Sequence, residues 1–241
     1  MSQIGYRTDT GNYRKANEDA VYVSNETGLY LVADGVGGHN AGDLASRTAV
    51  EVISSRCQSE IQNVYDSDSL GITLQQLLTE VNERILALAA SDPARKGMAT
   101  TLVLACLRGR TAYLANVGDS RAYLIRDRQI SQITEDHTLV NDLVKGGFIT
   151  REEALTHPER HKITRAMGAE LTVEPDFHQV ALYPEDVLIL CTDGLYTEVS
   201  EDLMVQLADQ ADTMDDLARQ LVDQAIRNEG KDNITVICIR I

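Results

Sequence analysis

The chain has 241 residues with a formal net charge of −15, and 43% of its residues are hydrophobic, which suffices for a sizeable core in one domain. The acidic balance argues against a nucleic-acid-binding protein, because phosphate contacts need an excess of lysine and arginine. We find no leader and no run of roughly 20 apolar residues, so we expect neither a membrane partner nor export. The four cysteines stand alone, most of them in apolar runs. Isolated cysteines in apolar runs are typical of buried free thiols in a reducing compartment, so we expect a cytoplasmic protein.

The first predicted strands cover 2–8 and 20–24, where apolar and polar residues alternate. The turn-rich segment between them carries Arg14, Glu18 and Asp19. Adjacent acids that follow an arginine so closely form either a surface ion cluster or one side of a metal site. Both interpretations stay open at this point.

An apolar run over 29–33 predicts a buried strand that ends abruptly on Asp34-Gly35. A helix then begins near Ala41, with small and apolar residues at the spacing of one helical face. An acid at a strand end beside a glycine turn is well placed to hold a hard metal ion, and the Gly35 carbonyl can approach that ion closely. Taken alone, Asp34 fits a helix cap better, and only the other acids of the chain favour the metal site.

A polar, serine-rich bridge over 59–71 is predicted to lead into a second helix, whose leucine, valine and isoleucine residues follow one stripe over 74–88. Asp92-Pro93 ends that helix. The two helices are expected to form an antiparallel pair that packs on a sheet through its apolar faces, so we assign them a structural role.

Three closely spaced strands follow, over 100–107, 111–117 and 121–126. The short turn 108–110 makes the first pair a hairpin, so the sheet is at least partly antiparallel. Asp119 lies in a glycine turn between the second and third strands. It either stabilises that turn or joins the other acids.

Between 137 and 168 the periodic pattern weakens, and two adjacent glycines stand at 146–147. The segment is too long and too polar for an ordinary connection in a compact domain, so we predict a functional surface excursion. Its histidines, His137, His157 and His161, have no regular metal-ligand spacing, which argues against a zinc site.

Strands are predicted around 172–181 and over 186–191, and the second of them ends on Asp193 followed by glycine, as the strand before Asp34 does. The final helix covers 214–227 and has one apolar face. Asp232 and an asparagine directly precede a last buried strand.

The acids of the chain thus share a position at strand ends. If these ends meet at one edge of a sandwich, several carboxylates converge and raise one another's pKa unless cations compensate them. Oxygen ligands without Cys or His favour hard ions, Mg²⁺ or Mn²⁺ before zinc. Two such ions can activate water and stabilise the entering and leaving oxygens, which suits the very slow hydrolysis of phosphate monoesters.

The motifs resemble those of the metal-dependent protein phosphatases of the PP2C (PPM) type, in particular the short bacterial members. In chain order these motifs are RKANED, VADGVGGHNAG, GMATTLVLA, NVGDSRAYL, CTDGL and GKDNITV. They cover essentially the whole chain. The resemblance implies an α+β fold: a four-layer αββα sandwich whose two central antiparallel sheets are flanked by helix pairs. It also implies a serine/threonine phosphatase that uses a metal-bridging water and acts in signal transduction.

The resemblance further implies roles for the residues that match the motifs. Asp34 would bridge two tightly held Mg²⁺ or Mn²⁺ ions, and the Gly35 carbonyl would bind one of them. Asp193 and Asp232 would be ligands of the other ion, with Glu18 and Asp19 at the edge of the cluster. Arg14 would bind the substrate phosphate. Asp119 would hold a third, weaker ion together with Asp193.

The chain departs from eukaryotic relatives at the residue after Asp34-Gly35. Those relatives have a histidine there, proposed as general acid, whereas this chain has Val36. The acid role is not transferred to His39, which is a candidate substrate contact only. Members of the family have a flap beside the active site, and in this chain it would correspond to about 146–168. His161, in this segment, is a further candidate substrate contact.

The expected partners are phosphorylated proteins, and the likeness to cyanobacterial members suggests a PII-type nitrogen-signalling protein. The family expectation is a monomer. Two alternatives compete: a non-catalytic PP2C-like binding module, and a phosphatase that forms an aspartyl-phosphate on Asp34. The first would be expected to lose ligands, yet every motif acid is present. The second would need an acid where Val36 stands.

Overall fold

Two antiparallel sheets lie at the centre of the structure, a computed structural model that describes residues 2–36, 41–61, 64 and 66–241. The strands in these ranges are β1 (Gln3–Asp9), β2 (Asp19–Ser24), β3 (Leu29–Val36), β4 (Ala99–Thr100), β5 (Leu102–Arg108), β6 (Thr111–Val117), β7 (Arg121–Arg126), β8 (Gln129–Gln132), β9 (Asp176–Ala181), β10 (Val187–Cys191) and β11 (Ile234–Arg240). One sheet has the order β2-β3-β5-β6-β9, with β4 beside β3, and the other has the order β1-β11-β10-β7-β8. The pairings within both are antiparallel.

Helices cover the outer faces of both sheets. The α-helices in the described ranges are α1 (Gly42–Arg56), α2 (Ser67–Ser91), α3 (Leu139–Lys145), α4 (Arg151–Thr156), α5 (Asp193–Tyr196), α6 (Glu201–Gln210) and α7 (Met214–Arg227). Helices α1 and α2 pack together, and α1 lies on β2 and β3. Helix α7 lies on β1 and β11, with α6 beside it. The layers are therefore helix, sheet, sheet and helix, which confirms the expected α+β sandwich.

Alternation along the central strands produces three apolar layers, because successive side chains of a strand point to opposite faces. On β3, Leu31 packs with the α1–α2 pair while its neighbour Val32 packs between the sheets. On β10, Ile189 packs with α6 and α7 while Leu188 faces the inter-sheet layer. Both central strands are therefore buried on both faces, so that their ends are held rigidly.

Several predicted boundaries were wrong for local reasons. Most of the described residues in the bridge expected over 59–71 are helical, since α1 continues into a π-helical turn at Cys57–Ile61 and α2 already begins at Ser67. The Asp66 side chain caps α2 by accepting a hydrogen bond from the Ser69 N–H over 2.8 Å. The strand expected over 100–107 is divided into β4 and β5. The short strand β8 was not predicted.

The excursion expected over 137–168 contains α3 and α4 and returns to the body of the domain. Thr138 and Ile163 form an isolated antiparallel bridge that joins its two ends. The strand expected around 172–181 begins only at Asp176. Within the described ranges, none of the helices has the length and apolar character needed to cross a bilayer.

Candidate metal-dependent active site

Asp34 stands at the end of β3, where hydrogen bonds from a neighbouring strand fix its backbone. Its N–H donates to the Thr101 hydroxyl over 3.1 Å, and its carbonyl accepts from the Thr101 N–H and the Thr100 hydroxyl, each over 2.8 Å. Both polar backbone groups of Asp34 are thus satisfied by protein. Its carboxylate is free to face the cavity that the strand ends form.

Gly35 lies where β3 and the start of α1 approach too closely for a side chain. A Cβ at Gly35 would lie 2.2 Å from the Gly42 carbonyl oxygen, a distance that no real contact adopts. Gly42 in turn meets the Gly35 carbonyl oxygen and a Glu18 carboxylate oxygen, each 2.9 Å from the position of its would-be Cβ. The glycines predicted from the motif are therefore required by the packing around Asp34.

Asp19 is paired with Asp34 in the β2–β3 register and is buried. One carboxylate oxygen accepts hydrogen bonds from Thr192 over 3.0 Å and from Thr235 over 2.6 Å, which ties β2 to the other sheet. The other oxygen is buried without a hydrogen-bond partner. Asp19 therefore joins the two sheets next to Asp34.

Asp193 and Asp232 reach the same edge from the ends of β10 and the start of β11. Asp193 opens helix α5, and its Oδ1 atom is buried without a hydrogen-bond partner. Asp232 accepts from Arg14 Nη2 over 2.6 Å and from the Asn233 N–H over 2.8 Å. The arginine predicted to bind phosphate is thus held at the acids by one of them.

Asn233 positions the loop that carries Arg14 and Glu18. Its amide group donates to the carbonyls of Thr10 and Ala16, each over 3.0 Å, and its Oδ1 accepts from the Glu18 N–H over 2.9 Å. This role was not predicted from the sequence. The only signal was the position of Asn233 directly after Asp232.

Asp119 is buried in the turn between β6 and β7. Gly118 adopts a φ of +99°, which favours glycine, and a Cβ there would lie 2.6 Å from the Thr101 side chain. The hydroxyls of Thr101 and Ser120 lie 2.7 Å apart. Because Thr101 also holds the Asp34 backbone, the Asp119 turn is fixed relative to Asp34.

Eight of the predicted site residues line one cavity of about 420 Å³. The predicted residues on its wall are Arg14, Glu18, Asp34, Gly35, Asp119, His161, Asp193 and Asp232. Asp19 is not on this wall although its register partner Asp34 is, and His39 lies outside the described residues. Lys162 and Ile163, which follow His161, also line the cavity, and the sequence analysis missed both. The excursion therefore forms one side of the site.

The electrostatics of the cavity show the cost of bringing these acids together. Burial first, and then the neighbouring carboxylates, raises the pKa of Asp34 well above its ordinary value. Burial raises the pKa of Asp19 and that of Asp119 to about 7, and that of Asp193 to about 6. Burial also raises the pKa of Glu18. Positive charge is therefore needed if all these groups are to be ionised together.

The residues fit hard divalent cations. The unpartnered oxygens of Asp19 and Asp193 and the mutual repulsion of the acids would both be relieved by cations. In the described part of the chain, no three His, Cys, Asp or Glu side chains are already arranged around a single point. Mg²⁺ and its relatives accept this arrangement, because they retain several waters and bind through only one or two carboxylates.

Known proteins resemble this chain over most of its length. The protein phosphatase 2C family matches residues 14–231. The serine/threonine phosphatase stp of Listeria monocytogenes is 38% identical over 237 residues, 97% of this chain and 94% of the relative. The crystal structure of the phosphatase Stp1 from Staphylococcus aureus has a TM-score of 0.92 and 38% identity, covering 100% of this chain and 95% of that one.

A further solved structure bears on the metal. The catalytic domain of the serine/threonine protein phosphatase PstP, in complex with two manganese ions, has a TM-score of 0.86 and 33% identity, covering 99% of this chain and 97% of that one. The family match spans most of the chain, and the match to each of these three proteins covers at least 94% of that protein's length. The chain therefore belongs to the protein phosphatase 2C family of metal-dependent protein serine/threonine phosphatases.

Proposed function

We propose that the cavity described above is the active site and that it hydrolyses phosphoserine and phosphothreonine in proteins. The observation that carries this proposal is the convergence of Asp34, Asp193 and Asp232, from separate strand ends, on the cavity that Arg14 also lines. We further propose that 1–241 acts as one catalytic domain whose flap segment is 146–168.

We assign to the residues of this cavity the roles that the family motifs imply. Asp34 would bridge two ions, the Gly35 carbonyl would bind one of them, and Asp193 and Asp232 would be ligands of the other. Glu18, which lines the cavity, and Asp19 would lie at the edge of the cluster and reach the ions partly through bound waters. When bound, such ions supply positive charge to the water and to the phosphate ester.

The remaining groups position the substrate. Arg14 would grip two phosphate oxygens in a planar fork, since a guanidinium offers parallel N–H donors. Asp119 would hold a third, weaker ion with Asp193. Because Val36 cannot donate a proton, we assign the protonation of the departing serine oxygen to the Asp119 side of the cavity.

Acid-quenched turnover of a ³²P-labelled phosphoserine peptide tests the proposal. We expect phosphate release with Mn²⁺ or Mg²⁺, no release with chelator, and no label retained on the protein. Label on the quenched protein would instead support an aspartyl-phosphate enzyme. Absence of release under every metal condition would support a binding module.

Arg14→Lys is expected to raise KM for a phosphoserine peptide about 10- to 100-fold, because a charge-assisted hydrogen bond contributes about 1.5–3 kcal/mol. Lysine keeps the charge but loses the planar fork, so Arg14→Ala should be only slightly worse. Steady-state kinetics and Mn²⁺ calorimetry check this. If KM is unchanged and Mn²⁺ affinity falls instead, Arg14 orients Asp232 and does not bind substrate.

His161→Ala is expected to change kcat/KM for a phosphoprotein more than for a small aryl phosphate. His161 lines the cavity from the flap segment, which also exposes Phe148 and Leu155 to solvent, each 76% exposed. Such a surface suits contact with a protein partner. His157→Ala is the matched control, because this histidine belongs to the same segment but does not line the cavity, and its backbone cap of α4 survives the substitution. Equal losses on both substrates for His161→Ala would place it in the chemical step.

The physiological setting is proposed on more general grounds. Cys57, Cys106, Cys191 and Cys238 are all buried free thiols, which suits a reducing cytoplasm. We propose that the enzyme acts there as a monomer. A PII-type nitrogen-signalling phosphoprotein is the substrate we would test first, against an unrelated phosphoprotein at equal concentration. Equal rates on both would remove this preference.

A further inference from the structure

His137 is buried, with 3% of its surface exposed, and contacts the turn that carries Asp119. The Gly118 N–H donates to His137 Nδ1 over 3.1 Å. The His137 N–H donates in return to the Gly118 carbonyl over 3.0 Å. One residue therefore satisfies both polar backbone groups of Gly118, the glycine whose left-handed conformation makes this turn.

The hydrogen bonds fix the tautomer of His137. A backbone N–H can only donate, so Nδ1 must be unprotonated and the ring proton lies on Nε2. Nε2 lies 3.2 Å from Asp176 Oδ2 and 3.3 Å from Arg165 Nη1, and that same Arg165 atom lies 3.1 Å from Asp176 Oδ1. The Asp176 carboxylate thus accepts from both groups and holds the ring in this orientation, while burial lowers the pKa of His137 and favours the neutral ring.

The segment of His137 is also bonded to the end of the flap segment. The Thr164 N–H donates to the His137 carbonyl over 2.8 Å, and the Leu139 N–H donates to the Lys162 carbonyl over 2.9 Å. Lys162 lies on the cavity wall. His137 therefore stands between the Asp119 turn and the point where the flap segment returns to the domain.

We propose that His137 is a positioning residue whose neutral ring holds the Gly118–Ser120 turn, and with it Asp119, against the end of the flap segment. A glycine turn has more backbone freedom than other turns, so a fixed acceptor is needed to select one conformation. The effect on catalysis rests on the proposed role of Asp119. The placement of the turn does not.

Amide hydrogen exchange of Gly118, measured by NMR on the metal-free protein, tests the placement directly. Three variants separate the two sides of the ring. His137→Asn can place an oxygen near the Nδ1 position, His137→Gln can reach Asp176 but loses the Gly118 acceptor, and His137→Phe loses both contacts. The Ile189 amide of β10, in the core, serves as the internal reference for global unfolding.

We expect Gly118 exchange, relative to Ile189, to accelerate up to about tenfold in His137→Gln and His137→Phe but much less in His137→Asn. If His137→Phe does not fold, the comparison of Gln with Asn decides. His178→Asn, a half-buried histidine two residues from Asp176 on β9, is the control and should leave the ratio unchanged. Equal exchange in the Asn and Gln variants, or an unchanged ratio in Gln, would overturn the proposal.

Two further measurements complete the test. The ¹⁵N spectrum of the wild-type protein should show His137 Nδ1 unprotonated, and a protonated Nδ1 overturns the proposal. His137→Gln should also lose turnover of phosphoserine more than turnover of an aryl phosphate. Accelerated Gly118 exchange with unchanged phosphoserine turnover would support the placement and refute the proposed role of Asp119.

Discussion

Asp34→Asn is expected to reduce turnover of a phosphoserine peptide by at least about a thousandfold while the fold survives. The substitution removes a charge from the group proposed to bridge both ions, and metal ions contribute several kcal/mol of transition-state stabilisation. The backbone hydrogen bonds to Thr100 and Thr101 do not depend on the carboxylate. Steady-state kinetics at limiting Mn²⁺, with circular dichroism for the fold, measure the effect.

The same variant should stabilise the metal-free protein above pH 7. The folded protein favours the protonated form of the acids whose pKa is raised. Their contribution to the stability of the fold is therefore fully present below about pH 4, the pKa of the unfolded chain, and is lost as the pH rises through 6 to 7. An asparagine at position 34 carries no charge, so it removes part of the repulsion among the ionised carboxylates. We expect a gain of about 1–2 kcal/mol, or a few degrees in Tm, at pH 8 with chelator and a smaller gain at pH 5.

Asp209→Asn is the matched control for both measurements, because Asp209 forms only an exposed ion pair with Arg128. It should change neither turnover nor the pH dependence of Tm. Near wild-type turnover in Asp34→Asn at limiting metal would remove Asp34 from the site.

Asp119→Ala is expected to slow phosphoserine turnover about a hundredfold or more, while two ions still bind with near wild-type affinity. Removing a group that assists proton transfer costs typically about 10²- to 10⁴-fold. Asp119 lies in its own turn, held through Thr101 and Ser120, so its loss leaves the strand ends of Asp34 and Asp193 in place. Calorimetry with Mn²⁺ and kinetics on a phosphoserine peptide measure the two effects separately.

The leaving group gives the sharper comparison. An aryl phosphate with an acidic phenol needs little protonation, so Asp119→Ala should lose less activity on it than on phosphoserine. Asp119→Asn keeps the shape of the side chain and should show the same difference. If both substrates suffer equally and a tight ion is lost, Asp119 is an ordinary ligand of the main pair.

The elements of the site that lie along the chain could be predicted, because strand ends carry a local signal. The buried runs before Asp34 and Asp193 end on Asp-Gly, and the apolar face over 214–227 gave the bounds of α7 correctly. The start of α2 could not be found in this way. It depends on the Asp66 cap, which a serine-rich sequence does not distinguish from a loop.

The contacts that position the site come from distant parts of the chain, and no local pattern encodes them. Thr192 and Thr235 reach Asp19 from the other sheet, and the Asn233 side chain fixes a loop more than 200 residues earlier in sequence. From the sequence, His137 was considered only as a possible zinc ligand and set aside for its spacing, whereas its ring accepts a hydrogen bond from a backbone amide. Such roles depend on how the two sheets stack.

The most direct test of whether these acids hold two catalytic ions is a calorimetric titration of Mn²⁺ into the metal-free protein at pH 6. Phosphoserine turnover is measured at each ratio of Mn²⁺ to protein. We expect two tightly bound ions per chain, proton release as the acids with raised pKa ionise, and turnover that follows the occupancy of both ions. Turnover that persists without bound metal, or the absence of Mn²⁺ binding during the titration, would contradict a two-ion active site.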